Sequence, residues 1–146
     1  MNKAVRLEPL ADYADKVETE AARRLATSAK ALEAKEKEVE QLRGYLAEYR
    51  QRAALEDTST DPMRWQNTRA FLAKLSGVVA AREKELEQTV EQYRLETERW
   101  RDSHRRAKSL DKIVSDAERD NALEAARREQ RELDERALQR MLDATR

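Results

Sequence analysis

Residues Asp57 to Trp65 read DTSTDPMRW, and they separate two long, highly charged segments. Asp61 followed by Pro62 is a helix start: a carboxylate caps free N–H groups, and proline at the first helical position gives up a donor that had no acceptor. Thr58, Ser59 and Thr60 just before it are weak helix formers. A single short break between two long helices makes them antiparallel neighbours. The fold class expected is all-α, an antiparallel two-helix coiled-coil hairpin forming one domain over 1–146. Its first helix should cover about 8–56, its tip loop about 57–61 and its second helix about 62–142, the last part a carboxy-terminal helical overhang.

Composition narrows the choice in the same direction. Of 146 residues, 41% are charged and 5% aromatic, and glycine and proline number two each, which leaves few turns and little material for a globular interior. Thirty basic residues balance thirty acidic ones, with the signs interleaved along the chain. No nucleic-acid partner is expected, because phosphate binding needs cations that neighbouring carboxylates have not neutralised. The absence of cysteine removes disulfide and thiolate chemistry and suits a reducing compartment. No apolar run is long enough for a signal peptide or a membrane span, so a cytoplasmic protein without direct membrane insertion is expected.

Small or apolar residues recur in steps of three and four at Leu10, Ala14, Val17, Ala21, Leu25, Ser28, Leu32, Val39, Leu42, Leu46, Tyr49 and Ala53, with Lys35 in the one missing slot. A second seam runs through Trp65, Thr68, Leu72, Leu75, Val79, Arg82, Leu86, Val90, Tyr93, Thr97, Trp100, His104 and Ala107 toward Val114 and Ala117. Consecutive four-residue steps at Val17–Ala21–Leu25 and Arg82–Leu86–Val90 predict a stutter in each helix. Folding about Ser59 and Thr60 pairs the first helix with the second as far as about Leu110. Beyond it only a weak stripe continues, at Leu123, Ala126, Leu133, Ala137 and Met141.

Catalysis finds little to use. His104 is the one histidine and sits at a seam position, where packing explains it better than proton transfer or metal binding. Gly44 and Gly77 are isolated, so no phosphate-cradling loop exists, and the reading is a protein that is not an enzyme and needs no cofactor or metal. The aromatic residues Tyr45, Tyr49, Trp65 and Phe71 gather within about three turns of the break. Tyr49 and Trp65 can serve the seam, whereas Tyr45 and Phe71 flank it and, with Val78, offer more apolar surface than a two-helix contact uses. Two readings stay open: a packed tip that staples the hairpin, or an exposed patch for a partner. Gly44 and Gly77 lie nearly opposite each other under this cluster and would allow close helix approach or bending.

The order and spacing of these residues resemble a known family. YLAEYR at Tyr45 to Arg50, the polar break, Arg64 and Trp65, FLAKL at Phe71 to Leu75, RWRDSHRRAKSL at Arg99 to Leu110, and the charged tail together are similar to the FliJ family of bacterial flagellar export proteins. The resemblance covers nearly the whole chain. It implies a non-enzymatic cytoplasmic component of the flagellar type III export apparatus, peripherally associated with the inner membrane. Such a protein would be a stalk-like coiled coil docked in the hexameric export ATPase ring, engaging the export gate membrane protein and the ATPase regulator and escorting empty substrate chaperones. It also implies a gate-binding surface near the tip, at Leu42, Tyr45, Tyr49, Phe71, Leu75, Val78, Glu38 and Arg82. The ATPase-binding region is implied at the open end, at Val5, Leu10, Val17, Leu25, Leu110, Val114, Leu123 and Leu133. Alternatives are the equivalent stalk of a virulence-type injectisome, a prefoldin-like holdase and a scaffold dimerising through its tail.

Overall fold

The computed structural model describes residues 2–56 and 61–145. Two helices account for nearly all of them: α1, Lys3–Glu56, and α2, Pro62–Ala144, which together form an all-α helical hairpin. The expected tip loop falls largely on 57–60, outside the described residues. Asp61 caps α2 as the sequence predicts, its Oδ1 accepting from the N–H groups of Met63 at 3.1 Å and Arg64 at 3.5 Å. α1 begins five residues before the expected start. Asn2 caps it, its Oδ1 accepting from the Val5 N–H at 2.8 Å, and Pro9 lies inside the helix instead of opening it. Burial of Ala4 ties down this additional turn.

The chain divides into two compact units. One is Ala21–Trp100, here called the tip unit; the other joins Met1–Glu20 with Arg101–Arg146 and is here called the terminal unit. Within the tip unit the facing pairs Tyr49 with Phe71, Arg43 with Glu83 and Lys35 with Glu85 run in opposite sequence directions, so the two helical segments are antiparallel. The best-buried residue is Val39, 1% exposed, with Leu46 and Val79 also in the core. The terminal unit has a leaner interface, in which Ala4, Ala11 and Ala14 of α1 and Ala107 and Ala117 of α2 are the buried apolar residues. Methyl groups remove less apolar area from water than leucine or valine, so each such layer stabilises less.

Neither predicted stutter is present in the burial pattern. In the tip unit an unbroken alternation of four and three runs through the covered positions Thr68, Leu72, Leu75, Val79, Arg82, Leu86, Thr89, Tyr93, Glu96 and Trp100 of α2, with Ser76, Glu83, Glu85, Leu95 and Thr97 half-buried beside it. Val90, predicted to lie in the seam, is exposed, and Thr89 takes its place. In α1 the half-buried Glu18 stands four after Ala14 and three before Ala21, which keeps that alternation intact. Leu10 is likewise exposed, and Ala11 is the buried residue. The seams are regular once Glu18 and Thr89 are counted in them.

Glu96 is the extreme case. It is 5% exposed; its Oε1 accepts from Gln92 at 2.9 Å and Arg99 at 3.0 Å, while Oε2 is buried with no hydrogen-bond partner among the described residues. A buried acceptor left unmade costs about 1–3 kcal/mol. Glu96→Leu is therefore expected to raise stability by about 1–3 kcal/mol, read from the urea midpoint by far-UV circular dichroism. A lower midpoint would show that the carboxylate is satisfied in solution.

The glycines do not serve close packing. A Cβ built on Gly44 or Gly77 would meet nothing within 4 Å, which overturns the expectation of close helix approach there. Each residue only weakens its helix. Gly44→Ala and Gly77→Ala should each stabilise the chain by about 0.5–1 kcal/mol in the same unfolding assay.

Candidate functional site

Two exposed regions, one in each unit, contain most of the residues the sequence singles out. In the tip unit, Tyr45 immediately precedes the buried Leu46, and Phe71 and Val78 precede the seam residues Leu72 and Val79. All three therefore occupy the same edge position of their heptads, and in an antiparallel pair these edges line one side. Tyr45 is 52% exposed, Phe71 47% and Val78 39%, which makes that side an apolar surface. Leu42 and Leu75, also expected to bind a partner, are half-buried seam residues.

The rings divide between the two readings of the tip. Tyr49 meets Phe71 edge to face, with centroids 5.1 Å apart and planes at 74°, and the Arg52 guanidinium lies 5.6 Å from the Tyr49 centroid. Phe71 is thus both staple and surface. Trp65, predicted to serve the seam, is instead exposed, with the Arg69 guanidinium 4.6 Å from its centroid. An open groove of about 570 Å3 runs beside Tyr49 and Phe71 and is also lined by Arg52, Met63, Arg64 and Asn67. The pattern of apolar residues gives no warning of Arg52, Arg64 and Asn67 in this lining, because they lie outside the seam.

Glu38 and Arg82 form part of an ion-pair network on the same edge. Arg82 Nε lies 3.0 Å from Glu38 and its Nη1 3.0 Å from both oxygens of Glu85, while Lys35 Nζ reaches Glu85 at 3.0 Å and Glu38 at 3.2 Å. Hydrogen bonds from Lys35 and then Arg82 hold the Glu85 carboxyl below its ordinary range. The same contacts raise Lys35 and Arg82.

The terminal unit places Leu10, Ala14 and Val17 of α1 beside Ser103 and Leu110 of α2 around a largely apolar groove of about 210 Å3, with Tyr13 and Arg106 at its walls. Val5 is exposed and Val114 half-buried in that unit, whereas Leu25 belongs to the tip unit and is not brought to this groove. Leu123 and Leu133 lie on the exposed end of α2. Continuing the seam past Asn121 gives Glu124, Arg128, Arg131 and Glu135, all charged. The stripe Leu123, Ala126, Leu133, Ala137 runs two residues out of phase with it, about 200° around the helix. It therefore faces nearly away from the side that α2 uses to pack on α1.

His104 Nδ1 donates to Glu18 Oε1 across the two helical segments of this unit. The sequence's packing role for His104 is met as a half-buried polar pair. Asp15 lies close enough to Asp111 to feel its charge; desolvation first, then Asp111, Glu18 and Asp12, raise its pKa above the ordinary 3.8. The surroundings of Asp15 and Glu85 should respond oppositely to acid. A carboxyl with a raised pKa binds its proton more readily when folded, so the Asp15 penalty is relieved as pH falls through that raised value. A carboxyl with a lowered pKa, such as Glu85, contributes stability above its ordinary 4.5 that is lost as pH falls through the folded value. Between pH 6 and pH 3, amide exchange corrected for its intrinsic rate should show residues 30–40 and 80–90 losing protection while 10–18 keep theirs. Equal loss in both would refute this assignment.

Among the described residues no group of three or more His, Cys, Asp or Glu side chains could hold a metal ion, and no helix is long and apolar enough to cross a membrane. The family model described as Flagellar FliJ protein matches residues 2–146. The chain belongs to the FliJ family. A FliJ-family member is a component of the flagellar export apparatus, and the match spans the sequence of both units. No curated protein and no solved structure matches this FliJ-family chain.

Proposed function

We propose that this chain is a stalk-like coupling protein that bridges the hexameric export ATPase ring and the export gate, interacts with the ATPase regulator and substrate chaperones, and catalyses no reaction itself. The whole-length family match carries the reading, since it assigns the full hairpin to flagellar export. Two exposed surfaces on one helical chain give it physical form. The tip surface of Tyr45, Tyr49, Phe71 and Val78, flanked by Glu38 and Arg82 and with the edges of Leu42 and Leu75, would meet the gate. The terminal groove at Leu10, Val17 and Leu110, with Val5 and Val114 and, farther along α2, the exposed Leu123 and Leu133, would meet the ATPase. Such a protein works in the cytoplasm at the inner membrane, held there by its partners.

Deleting the coding sequence from its host and restoring it tests this reading. Loss of filament-protein secretion and swimming on deletion, both recovered on restoration, is expected. Unchanged secretion on deletion would contradict it. Suppressed aggregation of unrelated unfolded proteins by the purified chain would favour a holdase instead.

A further inference from the structure

The charge balance of the whole chain conceals a local excess. Between Arg101 and Lys112 there are five basic residues, Arg101, Arg105, Arg106, Lys108 and Lys112, against two acidic ones, Asp102 and Asp111. Within this stretch the signs do not alternate. Four of the cations, Arg101, Arg105, Lys108 and Lys112, follow one another at steps of four, three and four, so they form a single row along α2 spanning about 16 Å. The seam of this segment is Ser103, Ala107 and Leu110, and the row falls on the other side, where all four side chains are exposed. Among the described residues no carboxylate is in ion-pair reach of Arg101, Lys108 or Lys112; Arg105 has only Asp102, at 4.0 Å.

From this geometry we propose that the row Arg101, Arg105, Lys108 and Lys112 is a docking surface for an acidic α-helix of a protein partner. The excess of unpaired positive charge calls for an anionic partner, and the periodic spacing calls for carboxylates held at the same helical intervals. Single exposed ion pairs contribute little, so useful affinity requires several to form together on a rigid partner. No apolar residue stands within the row, whereas a surface that lies in a lipid interface interleaves cations with apolar anchors. The row also lacks the aromatic platforms that hold single-stranded nucleic acid, and Asp102 borders it. The inference rests on charge placement alone and stands apart from the export reading.

The test uses the full chain and a labelled helical peptide carrying glutamate at positions i, i+4, i+7 and i+11, with a scrambled peptide of the same composition, phosphatidylglycerol vesicles and duplex DNA as competitors. The ordered peptide is expected to bind in a salt-dependent way, to shift the amide resonances of residues 98–115, and to bind at least about tenfold more weakly to the triple variant Arg101→Gln, Lys108→Gln, Lys112→Gln. That variant should keep its helical circular dichroism, and Arg94→Gln, which removes a cation already paired with Glu91 and Glu98, should bind as the parent does. Absence of binding, equal binding of the scrambled peptide, unchanged affinity in the triple variant, or tighter binding to vesicles or DNA would each overturn the proposal.

Discussion

Leu46→Ala is expected to lower the stability of the chain by about 2–4 kcal/mol. Leu46 is a buried branched side chain in the tip unit, and its neighbours in the seam, Val39 and Leu42 on one side and the half-buried Ala53 on the other, cannot close over the space it leaves. The loss combines the transfer free energy of three carbons with a cavity that two straight helices are unable to collapse. Leu133→Ala makes the same chemical change on the exposed end of α2 and should alter stability by less than about 0.5 kcal/mol. Urea unfolding of both variants decides the matter. Similar midpoints would mean that the tail is packed or that the tip core is not.

The second large effect concerns partner binding. Tyr45→Ala combined with Val78→Ala should weaken binding to the cytoplasmic part of the export gate by about thirtyfold or more, if these residues are anchors of an interface. The fold should hardly notice, because both side chains stand on the exposed edge and neither ring nor methyl group fills the seam. Phe71→Ala is a less clean probe. It would also remove the edge-to-face contact with Tyr49, which such pairs make worth about 0.5–1.5 kcal/mol, so its effect on binding would be mixed with an effect on the hairpin itself. Undiminished gate binding by the Tyr45/Val78 variant, with its helix content intact, would show the tip patch to be structural only.

The sequence made the helices and their pairing readable because their signals are local: Asp61 and Pro62 open α2 whatever lies around them, and spacing by three and four survives without knowledge of the partner. The start of α1 is less readable: the apolar seam begins at Leu10, and the Asn2 cap and the burial of Ala4 carry the helix further toward the amino terminus. The expected stutters come from preferring Val17 and Val90 to their neighbours Glu18 and Thr89. At position 18 a glutamate occupies the seam because His104 comes across to meet it, and at position 89 a threonine does so by sending its hydroxyl to the Glu85 carbonyl at 2.9 Å. The Glu18 choice depends on a contact across 86 residues, which periodicity does not encode. The same limit applies to the surfaces: Tyr45, Phe71 and Val78 could be named as flanking residues, but their shared side follows from the heptad phase, and the groove beside Arg52 and Asn67 from side-chain positions.

In the proposed role, one chain links two parts of the export apparatus through separate surfaces. Its most direct test is a three-component binding measurement, with the gate's cytoplasmic domain immobilised, the export ATPase in solution, and the chain added or withheld. ATPase retained on the surface only when the chain is present, and lost with the Tyr45/Val78 variant although that variant still binds the ATPase, is the predicted result. Retention that does not depend on the chain, or mutually exclusive binding of the two partners to it, would contradict the account.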